Sequence, residues 1–202
     1  MVGGWVVFNK HTKLLTRSGY LLDVLNPKFD QYSLHDIAYG LSRQFRYGGA
    51  LGDYTVAQHS VLVAKCVYDN WPGGSGLQNA LKYAMLHDAS EAFIRDIPAP
   101  AKHLLPDYIK METRLMDAIL GEEVVGRPAI VKEADYNVCV VEANFFVGKR
   151  KDIDELFPPP AHIMKVDSES LHHLWGMDES VKEFMTRWHT IDWPETDEEV
   201  KW

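Results

Sequence analysis

The run Tyr83-Ala-Met-Leu-His87-Asp88-Ala-Ser-Glu91-Ala-Phe-Ile-Arg-Asp96 sets an imidazole beside several carboxylates. Upstream, Leu77, Ala80, Leu81 and Ala84 step at the spacing of a core-facing helix stripe. Carried forward, that stripe meets Asp88 and Glu91, with His87 one position to the side. An unpaired buried carboxylate costs several kcal/mol or changes its protonation, so something must compensate these charges. A bound cation is the simplest compensation; a helix end tipping into solvent is the plain alternative. Two other segments raise the same question. His59 shares a face with Leu62, Val63 and Cys66, the pattern of a core histidine or of a ligand. Asp135 and Glu142 interrupt the stripe of Val131, Ala134, Val138 and Phe145. A surface seam explains Glu142 as well as function does, whereas Asp135 has apolar neighbours on every side. His59, His87, Asp88 and Asp135 would make a mixed N/O donor set suited to Mn, Co, Ni, Zn or Fe. Fewer than six protein ligands leave positions for water and a substrate oxygen, as in catalytic sites.

The elements that must position these groups are mostly helical. At the N-terminus, Trp5–Phe8, Lys13–Thr16 and Tyr20–Leu25 read as short extended segments, closed by Asn26-Pro27. A helix begins at Ser33 and runs to about Arg46. Its His35-Asp36 pair is helix-start chemistry, because Ser33 and Asp36 have capping-box spacing. The Gly-rich stretch Tyr47–Asp53 lacks the Lys-Ser/Thr ending of a phosphate loop. Helices follow at Tyr54–Tyr68, from Leu77, from Asp107 (core residues Ile109, Met111, Leu115, Met116, Ile119 and Leu120), and at Pro128–Val147. Prolines deny regular helix to Asp96–Pro106, an ordered loop beside the His87-Asp88 segment. Gly148–Asp154 reads as a solvated loop and Phe157–Pro160 as a rigid connector. A last helix, about 169–189, carries His172-His173, which point about 100° apart and so do not share one metal unaided. The tail Glu195–Glu199 is acidic and loosely held.

With 202 residues, 46% hydrophobic, the chain suits one domain (1–202) able to bury a proper core. Its parts are a β segment over 1–30, a helical core over 33–147 and a C-terminal helix and tail over 148–202. A net charge of −8 argues against general affinity for nucleic-acid polymer or anionic membrane, so an anionic substrate would need local cations. Cys66 and Cys139 fall in apolar helical patterns and read as reduced core residues, a usage that suits the cytoplasm. No signal peptide and no membrane-length apolar run is evident.

The order His59, His87-Asp88, Asp135 on successive helices resembles the HD-domain metal-dependent phosphohydrolases. Longer local matches carry the resemblance: Thr55-Val-Ala-Gln-His59-Ser, Leu86-His87-Asp88-Ala-Ser-Glu91-Ala, Asp96-Ile-Pro98-Ala-Pro100-Ala-Lys102 and Lys132-Glu-Ala-Asp135. They look like the bacterial 5′-deoxynucleotidases and the related phage dATP triphosphohydrolases, over roughly Asp36 to Phe146. The resemblance implies an all-α HD helical bundle with a small N-terminal β element, assembled as a homodimer or larger homo-oligomer. It implies His59, His87, Asp88 and Asp135 as ligands of a divalent cation (Mn, Co, Ni, Zn, Fe or Mg). Glu91 would act as general acid/base and Asp96 would face the sugar. Arg46 and Lys102 would grip phosphate, with Tyr47 near the base. The spacing of Arg46 to His59 departs from the family's, which leaves Arg43 as an alternative clamp. The implied reaction is hydrolysis of 2′-deoxynucleoside 5′-mono- or triphosphates to deoxynucleoside and phosphate or polyphosphate.

Three other readings compete. One is a cyclic-nucleotide phosphodiesterase of HD type; those of the cyclic-dinucleotide class usually bear a Gly-Tyr-Pro motif and more metal ligands, which this sequence lacks. A non-catalytic HD module that binds nucleotide or metal predicts lost ligands, yet all are present. A purely structural helical domain would need several buried carboxylates balanced by histidines alone.

Overall fold

The computed structural model describes residues 10–121 and 124–191; the expected Trp5–Phe8 strand and the acidic Glu195–Glu199 tail lie outside the described residues. The remaining extended segments pair as an antiparallel hairpin of β1 (Lys13–Leu15) and β2 (Leu21–Asp23), with Leu14 opposite Leu22. Leu22 is fully buried and pins the hairpin to the helices. So the fold is all-α with a small N-terminal β element, as expected.

Helix α1 (Leu34–Leu41) opens with the anticipated capping box. The Ser33 hydroxyl accepts from the Asp36 N–H, and Asp36 accepts from the Ser33 N–H at 2.9 Å. Asp36 also accepts from the Ser18 N–H at 2.7 Å, so one carboxylate both starts the helix and holds the hairpin against it. The helix stops at Leu41, short of the expected Arg46. From there Phe45 bridges Thr55, and the Arg46 N–H donates to the Tyr54 carbonyl at 2.8 Å, trading helical bonds for bonds across the Gly-rich turn. That exchange sets Arg46 and Tyr47 against the start of the next helix.

Helix α2 (Val56–Asp69) is capped by Thr55, whose hydroxyl accepts from the Gln58 N–H. Its first nine residues are all buried, the signature of a helix enclosed on every side. It packs against α3 (Leu77–Leu86), α7 (Ala129–Val147) and α9 (Met177–Ile191). The expected helix from Leu77 through Glu91 is not continuous. After Leu86 the chain tightens into three-residue turns, with Ala89 N–H to Leu86 O and Glu91 N–H to Asp88 O, before α4 (Glu91–Ile94).

Four further expectations are corrected. The Asp96–Pro106 stretch includes a short helix, α5 (Ala99–Lys102), because Pro98 and Pro100 occupy the cap and first turn, where no N–H is needed. In α6 (Pro106–Leu120), Leu115, Met116, Ile119 and Leu120 are buried, but Ile109 is exposed and Met111 only half-buried. Lys151–Leu156 forms a helix, α8, rather than part of a loop. The C-terminal helix is split, with a 3-10 turn at Ser168–His172 preceding α9. One buried apolar cluster runs from Leu22 to Ile191. No helix among the described residues is long and apolar enough to cross a membrane.

Candidate metal centre

Three elements bring the site together. Helix α2 carries His59, the turn after α3 carries His87 and Asp88, and α7 carries Asp135. Ligand-capable atoms of His59, His87 and Asp135 all lie within 4.8 Å of one another. His59 Nε2 is 3.1 Å from Asp135 Oδ1. Asp88, the fourth expected ligand, stands outside this mutual cluster of three, with its Oδ2 3.4 Å from His87 Nε2 and 3.9 Å from His59 Nε2.

Two observations fit a cation at this point. His87 Nδ1 sits 2.7 Å from the Ala84 carbonyl, an acceptor, so Nδ1 carries the proton. Its Nε2 is then the lone-pair atom, and it is buried without a hydrogen-bond partner. Such an orphan is costly unless something else occupies its direction. His59 is oriented in the same way: Nδ1 lies 2.7 Å from Glu142 Oε1. Burial would raise the Glu142 pKa, but His59, Arg46 and the Tyr54 hydroxyl hold it below the usual range, so Glu142 is ionised and accepts. His59 Nε2 is thereby left facing Asp135. A ligating histidine whose second nitrogen donates to a carboxylate is the usual second layer of a metal site.

Without a cation, protons take its place. Burial alone would lower the His87 pKa, but Asp88 and Asp135 outweigh it and hold it at about 9. Burial and Arg46 pull down that of His59, but Glu142 and Asp135 outweigh them and leave it raised. Burial pushes Asp135 up, but its two histidine neighbours drive it far below an ordinary carboxyl. The carboxylates therefore select cationic partners at this point, either imidazolium or metal.

Beneath the centre, Glu142 is fully buried, which removes the surface-seam reading. Besides His59 it accepts from the Tyr54 hydroxyl at 2.8 Å and the Tyr47 hydroxyl at 2.9 Å. Tyr47 is thus anchored by its hydroxyl, with a backbone at φ 58°, a left-handed conformation rare for an aromatic residue. Arg46 lies alongside, with Nη1 3.5 Å from Asp88 Oδ2 and Nη2 3.2 Å from Cys139 Sγ. Its Nε is buried with no partner. Of the two candidate arginines, only Arg46 reaches the centre. Arg43 faces the other way, pairing with Asp178 at 2.9 Å and lying 3.4 Å over the Tyr39 ring.

At the start of α4, Glu91 is almost wholly buried and its Oε2 has no partner. Burial, then the neighbouring Asp88 and Asp96 charges, push its pKa well above the carboxylate range, so it holds a proton near neutrality. Lys102 Nζ lies 3.8 Å from Glu91 Oε1 and 2.8 Å from Glu112 Oε1. Asp96 is also raised by burial, against the pull of Arg46. Gln44 ties this segment down: its side-chain N–H donates to the Glu91 carbonyl and its Oε1 accepts from the Asp96 N–H at 2.7 Å. Arg95, between them, has φ 76° and ψ 151°, a region ordinarily left to glycine.

The structure thus gathers His59, His87, Asp88, Asp135, Glu91, Lys102, Arg46 and Tyr47 around one centre, with Asp96 at its edge. His172 and His173 stand apart; His172 packs edge-on against Phe145 and His173 pairs with the exposed Glu179. Sequence reasoning missed Gln44 and Tyr54 and took Cys139 for core. Cys139 and Glu142 lie one and two turns beyond Asp135 on α7, so helical spacing from Asp135 was the signal that could have found them.

No family model matches the chain. It is 40% identical over 118 residues to the uncharacterized protein YfdR of Escherichia coli (strain K12), covering 56% of this chain and 60% of that protein. It is 32% identical over 161 residues to the uncharacterized protein RCAP_rcc00048 of Rhodobacter capsulatus, covering 73% of this chain and 80% of that protein. The chain spans less than two thirds of YfdR and four fifths of the Rhodobacter protein. At that identity and coverage, the chain belongs to the same family as RCAP_rcc00048.

Proposed function

We propose that this protein is a metal-dependent phosphohydrolase of the HD type acting on 2′-deoxynucleoside 5′-mono- or triphosphates. The observation that carries the reading is the buried, unpartnered Nε2 of His87, clustered with His59 and Asp135 and 3.4 Å from Asp88 Oδ2. These four side chains would hold a divalent cation. Bound there, a cation polarises a phosphoryl oxygen and lowers the pKa of a bound water.

The remaining chemistry falls to the chain's own groups. Glu91, protonated near neutrality, can donate a proton to a leaving oxygen, and once ionised can accept one from water. Arg46 and Lys102 offset the charge that spreads over a phosphoryl group in its transition state. The pairing of Lys102 with Glu112 keeps its ammonium on the Glu91 side of the centre. The bond from Gln44 fixes the backbone of Asp96, which would face the sugar and disfavour ribose. Tyr47, anchored through Glu142, would offer its ring to the base.

Product analysis over a panel of deoxynucleoside mono- and triphosphates, with Mn or Co added and a chelator control, tests the reading. Metal-dependent release of free deoxynucleoside supports it, and the phosphate product identifies the chain length of the substrate. A bound metal with no turnover on any panel member would sink it in favour of a binding module or a phosphodiesterase.

A further inference from the structure

A cleft of about 400 Å³ lies between the hairpin, α1 and α4. None of the metal-centre residues lines it: Ala92, Phe93 and Arg95 face the cleft, whereas the adjacent Glu91 belongs to the metal centre. Its charge is unusual for a chain of net charge −8. Arg17, Arg43 and Arg95 line it against one carboxylate, Asp36. The oxygens of Asp36 are already engaged by Ser18 and Ser33, so it neutralises none of the arginines directly.

The arginines are arranged rather than merely nearby. Arg43 is held by the Ser42 hydroxyl at 2.7 Å and by the Tyr39 ring, 3.4 Å from its guanidinium carbon. Arg17 approaches the same ring at 4.7 Å. Two guanidinium groups sharing one ring repel each other unless an anion sits between or beside them. The only carboxylate paired with Arg43 among the described residues is Asp178, which is 95% exposed and well screened. Among the described residues, no carboxylate pairs with Arg17 or Arg95. Arg95 keeps its place despite a backbone conformation ordinarily reserved for glycine, a form of strain that clusters at ligand sites.

We propose that this cleft binds a small phosphate-bearing anion, its phosphoryl oxygens held by Arg17, Arg43 and Arg95 and any organic part laid against Tyr39 and Phe93. Its volume falls in the range of small-molecule sites, and guanidinium forks match phosphate oxygens in pairs. The site is independent of the metal centre and of the reaction proposed there.

The test uses the full chain, stripped of metal and dialysed free of chelator, titrated calorimetrically in phosphate-free buffer. The probes are inorganic phosphate, pyrophosphate and dAMP. Binding of pyrophosphate is expected, weakened about tenfold by Arg17→Ala and by Arg95→Gly, and unchanged by Lys102→Ala. Arg17 lies on an exposed turn, so its replacement leaves the fold intact, which circular dichroism would verify. Tighter binding of dAMP than of inorganic phosphate would identify the natural ligand as a nucleotide-like phosphate ester; equal binding would identify free phosphate. Absence of binding by the unaltered protein at millimolar probe, or affinity insensitive to both arginines but lost with Lys102, would overturn the proposal.

Discussion

His59 Nδ1 lies 2.7 Å from Glu142 Oε1, and both side chains are wholly removed from solvent. Glu142 therefore sets the tautomer of His59 and aims its other nitrogen at the point shared with His87, Asp88 and Asp135. The same carboxylate holds Tyr54 and Tyr47, so one buried charge positions groups from the loop ahead of α2 and from α2 itself.

Replacing Glu142 by glutamine keeps the shape and removes the charge that fixes His59. We expect Mn or Co affinity to fall by about 10- to 100-fold, as for other partners of ligating histidines. Metal titration of the purified variant measures this, and unchanged affinity would mean that His59 does not ligate.

Asp88→Asn removes an anionic ligand beside both imidazoles, and we expect metal content and turnover to be lost together. Full activity in that variant would remove Asp88 from the centre.

Glu91→Gln separates chemistry from metal binding. Its carboxyl touches no ligand of the centre within hydrogen-bond distance, so metal content should be retained. Turnover should drop by about 10²- to 10⁴-fold if Glu91 moves the proton. Metal analysis beside steady-state rates distinguishes this from collapse of the site.

Gly40 lets α1 approach α4. A Cβ there would stand 2.5 Å from the Ala92 carbonyl oxygen, a backbone atom that cannot step aside. Gly40→Ala should destabilise the fold by about 1–3 kcal/mol, read as a lowered melting temperature. Gly176→Ala, where a Cβ would meet nothing within 4 Å, serves as the control and should change little.

Asp36 should shape the acid limb of stability. Burial raises its pKa, but hydrogen bonds from Ser18 and Ser33 outweigh this and leave it below the ordinary value of 3.8. Its contribution is therefore complete above the unfolded-state pKa of about 3.9 and is lost as pH falls through the lower folded value. Asp36→Asn should cost about 1 kcal/mol near neutrality and flatten the loss of stability below pH 4. Melting curves across that range check both effects, and an unaltered acid limb would mean that other carboxylates govern it.

Much of the site could be read from the chain because its information is local. Ser33 and Asp36 form their capping box within one turn, and Thr55 caps α2 through the residue three positions on. Polar groups on or beside apolar stripes mark His59, His87, Asp88 and Asp135 in the sequence itself. The extended segments at Lys13 and Leu21 were legible as short runs closed by Asn26-Pro27. Helical periodicity reports a face reliably, since it depends only on the 3.6-residue repeat.

What the tertiary structure decided depends on which faces meet across long separations. The bond from Tyr47 to Glu142 spans 95 positions and that from His59 to Asp135 spans 76. No spacing rule tells that Glu142 lies beneath a histidine rather than at a seam. Arg46 and Arg43 are equally basic in sequence. The end of α1 at Leu41 and the bond from Arg46 N–H to Tyr54 turn one inward and leave the other stacked on Tyr39. The break after Leu86 has the same origin, because packing against α2 and α7 outweighs the weak local preference for a continuous helix.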